Sequence, residues 1–359
     1  MGTVGLHEKY DVALLDLDGV VYLGPKAVPG APEALKRAKA AGLRLAYVTN
    51  NASRTPAAVA EVLRGMGAPA VPEDVVTSPQ AAARLLADKL PPGSRVLVIG
   101  SIALRLAVRE RGLIPVSTAA EHPQAVVQGY APGIDYQALA EGGLAVRAGA
   151  LFVATNADST LPTQRGIQPG NGSLLRVIAY ATGTEPVIAG KPELPLHHES
   201  IIRTGARQPL VVGDRLDTDI EAANRAGADS LLVLTGVSRP AELVIAPPEH
   251  RPTYVALALD ALLEPYPDVM PGDSASDGAG GRGFACNGWT ARWTGAGAQA
   301  GIALDAPASS AAGDASDAVR GGPADGLRAL CAAAWSRPGT SREAVAAALA
   351  QLTAAGLSM

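Results

Sequence analysis

The stretch Asp11-Val-Ala-Leu-Leu-Asp16-Leu-Asp18-Gly19-Val20-Val21-Tyr22 decides the fold. Val12 to Leu15 is an uninterrupted apolar run. Such runs suit a strand buried on both faces of a parallel sheet. Two carboxylates follow, spaced i and i+2, which on a strand share one face. Gly19 then allows a turn and a close backbone approach to a ligand. Ligands of open α/β sheets bind at the carboxyl ends of the strands. Two acids there repel each other unless a cation or a shared proton relieves them.

Working outward, strands and helices alternate. After the first strand, 29–41 reads as a helix and Leu43 to Val48 as a strand ending in Thr49-Asn50-Asn51. Ser53 or Thr55 is placed to cap a helix over 56–66. A second alternation covers strands at 95–99, 125–128 and 151–155 and helices at 102–111 and 136–148. Gly170 to Ser173 then leads a helix to Ala181; close packing there is favoured over a phosphate cradle. The first pattern resumes at Gly190-Lys191-Pro192. A helix over 195–205, a strand over 208–212 ending in Gly213-Asp214-Arg215, and a helix over 218–226 follow. Ser230 to Leu234 reads as the last clear strand. The pattern predicts parallel pairing and right-handed crossovers.

From about Pro265 the character changes. The segment 270–323 is rich in Gly, Ala, Ser and Asp, and two short helical patterns follow at 326–335 and 343–352. This tail is expected to be weakly cored or disordered. It carries none of the polar clusters described next, so it is expected to be dispensable for chemistry.

Those clusters are Asp16/Asp18, Thr49/Asn50, Lys191 and Asp214/Asp219, each expected just beyond a strand end or at a helix start. Phosphoryl transfer needs these types. A divalent cation relieves the repulsion between an attacking carboxylate and a phosphate dianion. Mg²⁺ takes oxygen ligands, typically one or two carboxylates with water and phosphate. Asp16 and Asp214 supply carboxylates, Thr49 a hydroxyl donor expected at a helix start, and Lys191 a point cation.

In this order the motifs resemble those of the haloacid dehalogenase (HAD) phosphatases, over about residues 10 to 263. The resemblance implies that Asp16 is the nucleophile and Asp18 the general acid and base, with Thr49 and Lys191 completing the catalytic set. It implies Mg²⁺ held by Asp16, the Asp18 carbonyl and Asp214, with Asp219 as a partner; Asp217 lies in the same loop. An Asp two positions after the nucleophile points to phosphate esters.

Spacing places the cap. Roughly 30 residues separate Asp16 from Thr49, and roughly 140 separate Thr49 from Lys191. The second alternation is therefore an inserted cap, as in class IIA of the superfamily. Val48-Thr-Asn-Asn-Ala-Ser53, Thr155-Asn156-Ala-Asp158 and Pro169-Gly-Asn-Gly172 agree. The expected fold is α/β: a Rossmann-like HAD core (1–80 and 187–265), an α/β C2-type cap (81–186) and a C-terminal extension (266–359). The extension is expected to be weakly cored or degenerate acetyltransferase-like. Gly19, Asn50, Asn51, Asn156, Asp158 and Arg165 are the expected substrate contacts.

The resemblance makes a small phosphorylated metabolite the expected partner, with glycerol 3-phosphate favoured. Phosphoglycolate, pyridoxal phosphate and nucleoside monophosphates stay open. A non-catalytic HAD-like sensor is the alternative from another class, and intact motifs oppose it. A phospho-accepting receiver domain is opposed by the cap and the Asp-x-Asp spacing.

Composition bounds the rest. Of 359 residues, 48% are hydrophobic, and the formal net charge is −4. No general attraction for nucleic acid or acidic membranes is expected. Cys286 and Cys331 are far apart, which fits a reducing cytoplasm and opposes zinc. No apolar run approaches the roughly 20 residues that span a bilayer, and 1–10 has no apolar signal core. A homo-oligomer is compatible with the sequence. His197 and His198 are adjacent on a helix, so they do not face one metal. Arg292-Trp-Thr-Gly295-Ala-Gly297 fits an acyl-CoA loop pattern, but no apolar strand is expected before it.

Overall fold

A computed structural model describes residues 4–163, 165–272, 283–295, 300–307 and 321–357. A short helix α1 (Leu6–Lys9) leads into β1 (Val12–Leu15), whose four residues are all buried. The hairpin β2 (Tyr22–Leu23) and β3 (Lys26–Ala27) follows the Asp16–Gly19 turn. Then come α2 (Ala31–Ala40), β4 (Arg44–Thr49), α3 (Pro56–Gly65), β5 (Val75–Thr77) and α4 (Ser78–Lys89). Thr55 caps α3 by accepting the Ala58 N–H at 3.3 Å, one of the two caps expected.

The inserted unit contains β6 (Arg95–Ile99), α5 (Ile102–Glu110), β7 (Ile114–Val116), β8 (Ala125–Gln128), α6 (Tyr136–Arg147) and β9 (Leu151–Ala154). A hairpin of β10 (Thr160–Thr163) and β11 (Gly166–Pro169) precedes α7 (Asn171–Thr182) and β12 (Val187–Ile188). The chain returns through α8 (Leu194–Thr204), β13 (Pro209–Gly213), a π-turn at Leu216–Ile220, α9 (Glu221–Ala226), β14 (Asp229–Val233), α10 (Pro240–Val244) and β15 (Tyr254–Ala256). The C-terminal unit adds β16 (Met270–Pro271), β17 (Phe284–Cys286), β18 (Trp289–Thr294), β19 (Gly301–Asp305), α11 (Pro323–Trp335) and α12 (Arg342–Ala354).

The core sheet is parallel, in the order β15-β14-β13-β1-β4-β5. Its carboxyl edge therefore brings the ends of β14, β13, β1 and β4 side by side. The cap has its own parallel sheet, β12-β9-β8-β6-β7. Val187–Ile188 pairs with β9, so the cap sheet runs two residues past the expected boundary at 186. Core and cap share one apolar cluster: Val12, Val48 and Leu196 from the core meet Leu86 of α4 and Val96, Leu104 and Val153 of the cap.

Two expectations about the C-terminal third are overturned. Tyr254–Ala256 forms a further core strand beyond Ser230–Leu234. The tail is well cored: Trp289, Trp293, Ile302, Leu327, Leu330, Cys331, Val345 and Leu352 are buried together with core residues Leu232, Leu243 and Val244. Small residues make this packing close. A Cβ on Gly326 would crowd Leu352 and Trp289 at 2.6 and 2.8 Å. The acyl-CoA pattern at Arg292 falls on β18, which is the strand expected to be missing. That strand pairs antiparallel with β19 rather than leading into a helix, and Arg292 is tied to Asp305 at 2.9 Å. Ala296 and Gly297 of the pattern lie outside the described residues.

Candidate active site

Asp16 stands one residue beyond β1, Thr49 ends β4, and Asp214 stands one residue beyond β13. The adjacency of these strands converts three distant stretches of sequence into one site. Carboxylate oxygens of Asp16, Asp214 and Asp219 lie within 4.8 Å of one another. The Lys191 ammonium reaches Asp16 Oδ1, Asp219 Oδ1 at 2.6 Å and the Val48 carbonyl at 3.3 Å. Its three donors are thus all engaged.

Burial sets the electrostatics. It pushes Asp16 up to about 8; Lys191 pulls the other way, and Asp219 and Asp214 add to the rise. Asp214, fully buried, is pushed up to about 7 by burial and by Asp219, against the Val237 N–H that it accepts at 2.6 Å. Burial works to lower Lys191, but Asp16 and Asp219 outweigh it and hold the ammonium charged. A single lysine against three carboxylates leaves the cluster short of positive charge.

The donor set fits a hard cation. Asp214 Oδ1 is buried and has no hydrogen-bond partner among the described residues, a costly state unless an ion or water meets it. The site is all oxygen, as Mg²⁺ requires. The carboxylates are also packed against bare backbone. A Cβ on Gly19 (φ +88°) or on Gly236 would collide with the Asp214 carboxylate, and one on Gly213 with Asp219.

Asp18, expected to offer the metal only its backbone carbonyl, keeps its carboxylate apart from the other three. It lies in the turn after β1 and is exposed, outside the three-carboxylate cluster. Burial of part of its surroundings raises its pKa, against the Gly24 backbone N–H. That direction favours the protonated form that a general acid needs. Thr49 lies at a strand end and not at a helix start. Its Oγ1 accepts the Asn51 N–H at 3.1 Å, which leaves the hydroxyl hydrogen to donate.

Several expected substrate contacts have other occupations. Asn50 is spent on the Lys191 main chain: Oδ1 accepts the Lys191 N–H at 2.8 Å and Nδ2 donates to the Lys191 carbonyl at 3.1 Å. It therefore positions the lysine. Asn156 is buried and donates to the Asn50 carbonyl at 2.8 Å, which Ser78 Oγ also meets at 2.7 Å. Asn51 accepts from Ser53 and closes a local turn. The Gly19 N–H goes to the Tyr22 carbonyl at 2.8 Å, and its carbonyl accepts from Thr235 Oγ1 at 2.5 Å. Arg165 is exposed on the β10–β11 hairpin, its N–H on Thr163 Oγ1 at 3.2 Å.

Asp158 is brought to the core. Burial raises its pKa, while Arg215, Lys191 and the Asn50 amide lower it. Arg215 was not anticipated; it grips Asp217 through two bonds of 3.0 and 2.8 Å, and its charge favours the ionised form of Asp158. Also unanticipated is the Thr235–Ser238 turn, which holds Asp214. The signal was present: Thr-Gly at the carboxyl end of a strand neighbouring the Asp214 strand. A cavity of about 20 Å³, room for roughly one water, lies beneath the site between Asp16, Lys191 and His197.

Comparison with known proteins gives the family. The family described as haloacid dehalogenase-like hydrolase matches residues 13–114, and the HAD-hydrolase-like family matches 188–262. The chain belongs to the HAD-like hydrolases. It is 49% identical over 257 residues to the D-glycerol 3-phosphate phosphatase of Mycobacterium tuberculosis, covering 72% of each chain. It is 39% identical over 262 residues to the 5'-nucleotidase YutF of Bacillus subtilis, covering 72% of this chain and 99% of that one. A crystal structure of the M. tuberculosis glycerol phosphate phosphatase with magnesium superposes with a TM-score of 0.81 at 39% identity, over 98% of this chain and 99% of that chain. Among the described residues no helix is long and apolar enough to cross a membrane.

Proposed function

We propose that this chain hydrolyses small phosphate monoesters with Mg²⁺, glycerol 3-phosphate foremost, giving glycerol and phosphate. The observation that carries the reading is the convergence of Asp16, Asp214 and Asp219 around Lys191, with Asp214 Oδ1 left unpartnered.

Asp16 attacks phosphorus, and the ester oxygen leaves with a proton from Asp18. Asp18, now a carboxylate, takes a proton from water, which attacks the aspartyl-phosphate and returns Asp16. The Thr49 hydroxyl donates to a phosphoryl oxygen, and Lys191, held in place beforehand, offsets the phosphoryl charge on releasing one of its present partners. Asp16, Asp214 and Asp219 would hold Mg²⁺, which supplies the charge that offsets carboxylate–phosphate repulsion.

The leaving group faces the cap. Asp158 and Arg215 offer an acceptor and a charged donor to a small hydroxylated group. The likeness to the M. tuberculosis enzyme supports glycerol 3-phosphate, and the likeness to the nucleotidase supplies the competitor to be measured. We place the enzyme in the cytoplasm, acting on dissolved metabolites; a formal net charge of −4 gives no general attraction for nucleic acid or acidic membranes. The test is kcat/KM for glycerol 3-phosphate, 2-phosphoglycolate, pyridoxal phosphate and a nucleoside monophosphate. Glycerol 3-phosphate is expected to lead. A tenfold lead for another ester, about 1.4 kcal/mol, overturns the substrate.

A further inference from the structure

We infer that the C-terminal unit is a positioning element for the metal-binding aspartate, acting through α10 and the turn that precedes it. The chain of contacts is continuous. The Val237 N–H donates to Asp214 Oδ2 at 2.6 Å, and the Ser238 N–H to the Asp214 carbonyl at 3.1 Å. Ser238 Oγ accepts the Leu216 N–H at 3.1 Å, which fixes the loop that carries Asp219. Thr235 Oγ1 ties the same turn to Gly19, and Gly236 lies directly against the Asp214 carboxylate. Residues 235–238 thus hold Asp214 from two sides.

That turn leads straight into α10, a helix of five residues. A helix this short has little stability of its own. Its support comes from the C-terminal unit. Leu243 and Val244 are fully buried in the cluster that contains Leu327, Leu330 and Ala334 of α11. Trp335 Nε1 donates to the Leu243 carbonyl at 3.3 Å. Arg251 stacks on the Trp335 ring at 5.5 Å and donates to the Ala246 carbonyl at 2.9 Å. Leu216 and Ile220, which flank Asp217 and Asp219, belong to the same cluster. On this inference the tail, which supplies none of the four polar clusters, braces the turn that aims one of them.

The inference rests on the magnesium reading only in naming the ion, and its test reads ion binding without turnover. Mg²⁺ affinity is measured by calorimetry on full-length protein, without substrate, well below the melting transitions. Trp335→Ala should weaken Mg²⁺ binding at least about threefold. Leu304→Ala, in the same buried cluster but on β19, which packs mainly against β18, α11 and α12, should lower Tm and leave the affinity within about twofold. Equal affinity for Trp335→Ala and wild type overturns the inference, as does equal weakening by Leu304→Ala. Should Trp335→Ala fail to fold, Arg251→Met, which keeps the indole, decides by the same criterion. Wild-type protein that binds Mg²⁺ but releases no phosphate would sink the function and leave this inference standing.

Discussion

The cap and the C-terminal unit are both additions to one six-stranded core, and they attach on different sides of it. The cap is inserted between β5 and β13, at the carboxyl edge where Asp16, Thr49 and Asp214 emerge. It brings Asp158 to the mouth of the site. The C-terminal unit packs behind α10 and β14, and reaches the site only through backbone that holds Asp214. Attachment side therefore sets what each addition can change. In the proposed function the cap is the part that would select the leaving group, and the C-terminal unit the part that would tune the aim of a core carboxylate.

The comparison assumes that chemistry resides in the core, so the largest effect is expected there. Asp16→Asn should lower kcat by at least about a thousandfold at unchanged fold, because an amide is a poor nucleophile. Near-normal turnover, with circular dichroism unchanged, removes the core from its assigned role. Next in size is Asn50→Ala, which frees the Lys191 backbone. A loss of roughly ten- to a hundredfold in kcat is expected from the misplaced ammonium. If Asn50→Ala raised KM alone, Asn50 would belong with the substrate contacts first expected of it.

A cap substitution should behave differently. Asp158→Asn is expected to raise KM for glycerol 3-phosphate by roughly tenfold, about 1.4 kcal/mol, with a smaller change for p-nitrophenyl phosphate. Equal losses on both esters would mean that the cap residue acts on chemistry, and the division between the two regions would fail.

The smallest effect concerns stability. Burial, with His198 adding to it, pushes His197 down to about 4. Between that value and the ordinary 6.5 the unfolded chain binds a proton that the native chain refuses. Stability therefore falls as pH drops through that window and is recovered above it. The half-buried position limits the effect to on the order of 2 kcal/mol. In thermal melts between pH 7 and 4, the wild type should lose stability relative to His197→Gln as pH falls. Parallel curves would show that His197 does not titrate in this range.

The sequence carried the core unusually far because its strands are continuous apolar runs that end in polar residues. Asp16, Thr49 and Asp214 lie at the ends of such runs and meet as the strand order requires, and Lys191 joins them from the loop between β12 and α8. Side-chain duties at the strand ends were less legible. Asn50 and Asn156 have the chemistry of ligand contacts, yet their amides hold main chain 141 and 106 residues away. Only the fold reveals those partners. The C-terminal unit was misread for another reason. Trp289-Thr-Ala-Arg-Trp-Thr294 has the period-two alternation of a strand, and its residues alternate in burial. The surrounding Gly and Ala obscured it, because a core built from Ala329, Ala333, Ala334 and Gly326 contributes little hydropathy while packing closely. Tyr254–Ala256 is three residues long, too short for any period to show.

The most direct test of the account is rapid acid quenching of the enzyme during turnover of glycerol 3-phosphate with Mg²⁺, followed by mass spectrometry of the peptide that contains Asp16 and Asp18. One phosphoryl group on Asp16, absent from Asp16→Asn and more abundant in Asp18→Asn, is the predicted result. Full turnover with no phosphoryl group on Asp16 at any time point, or with the group on another residue, would contradict it.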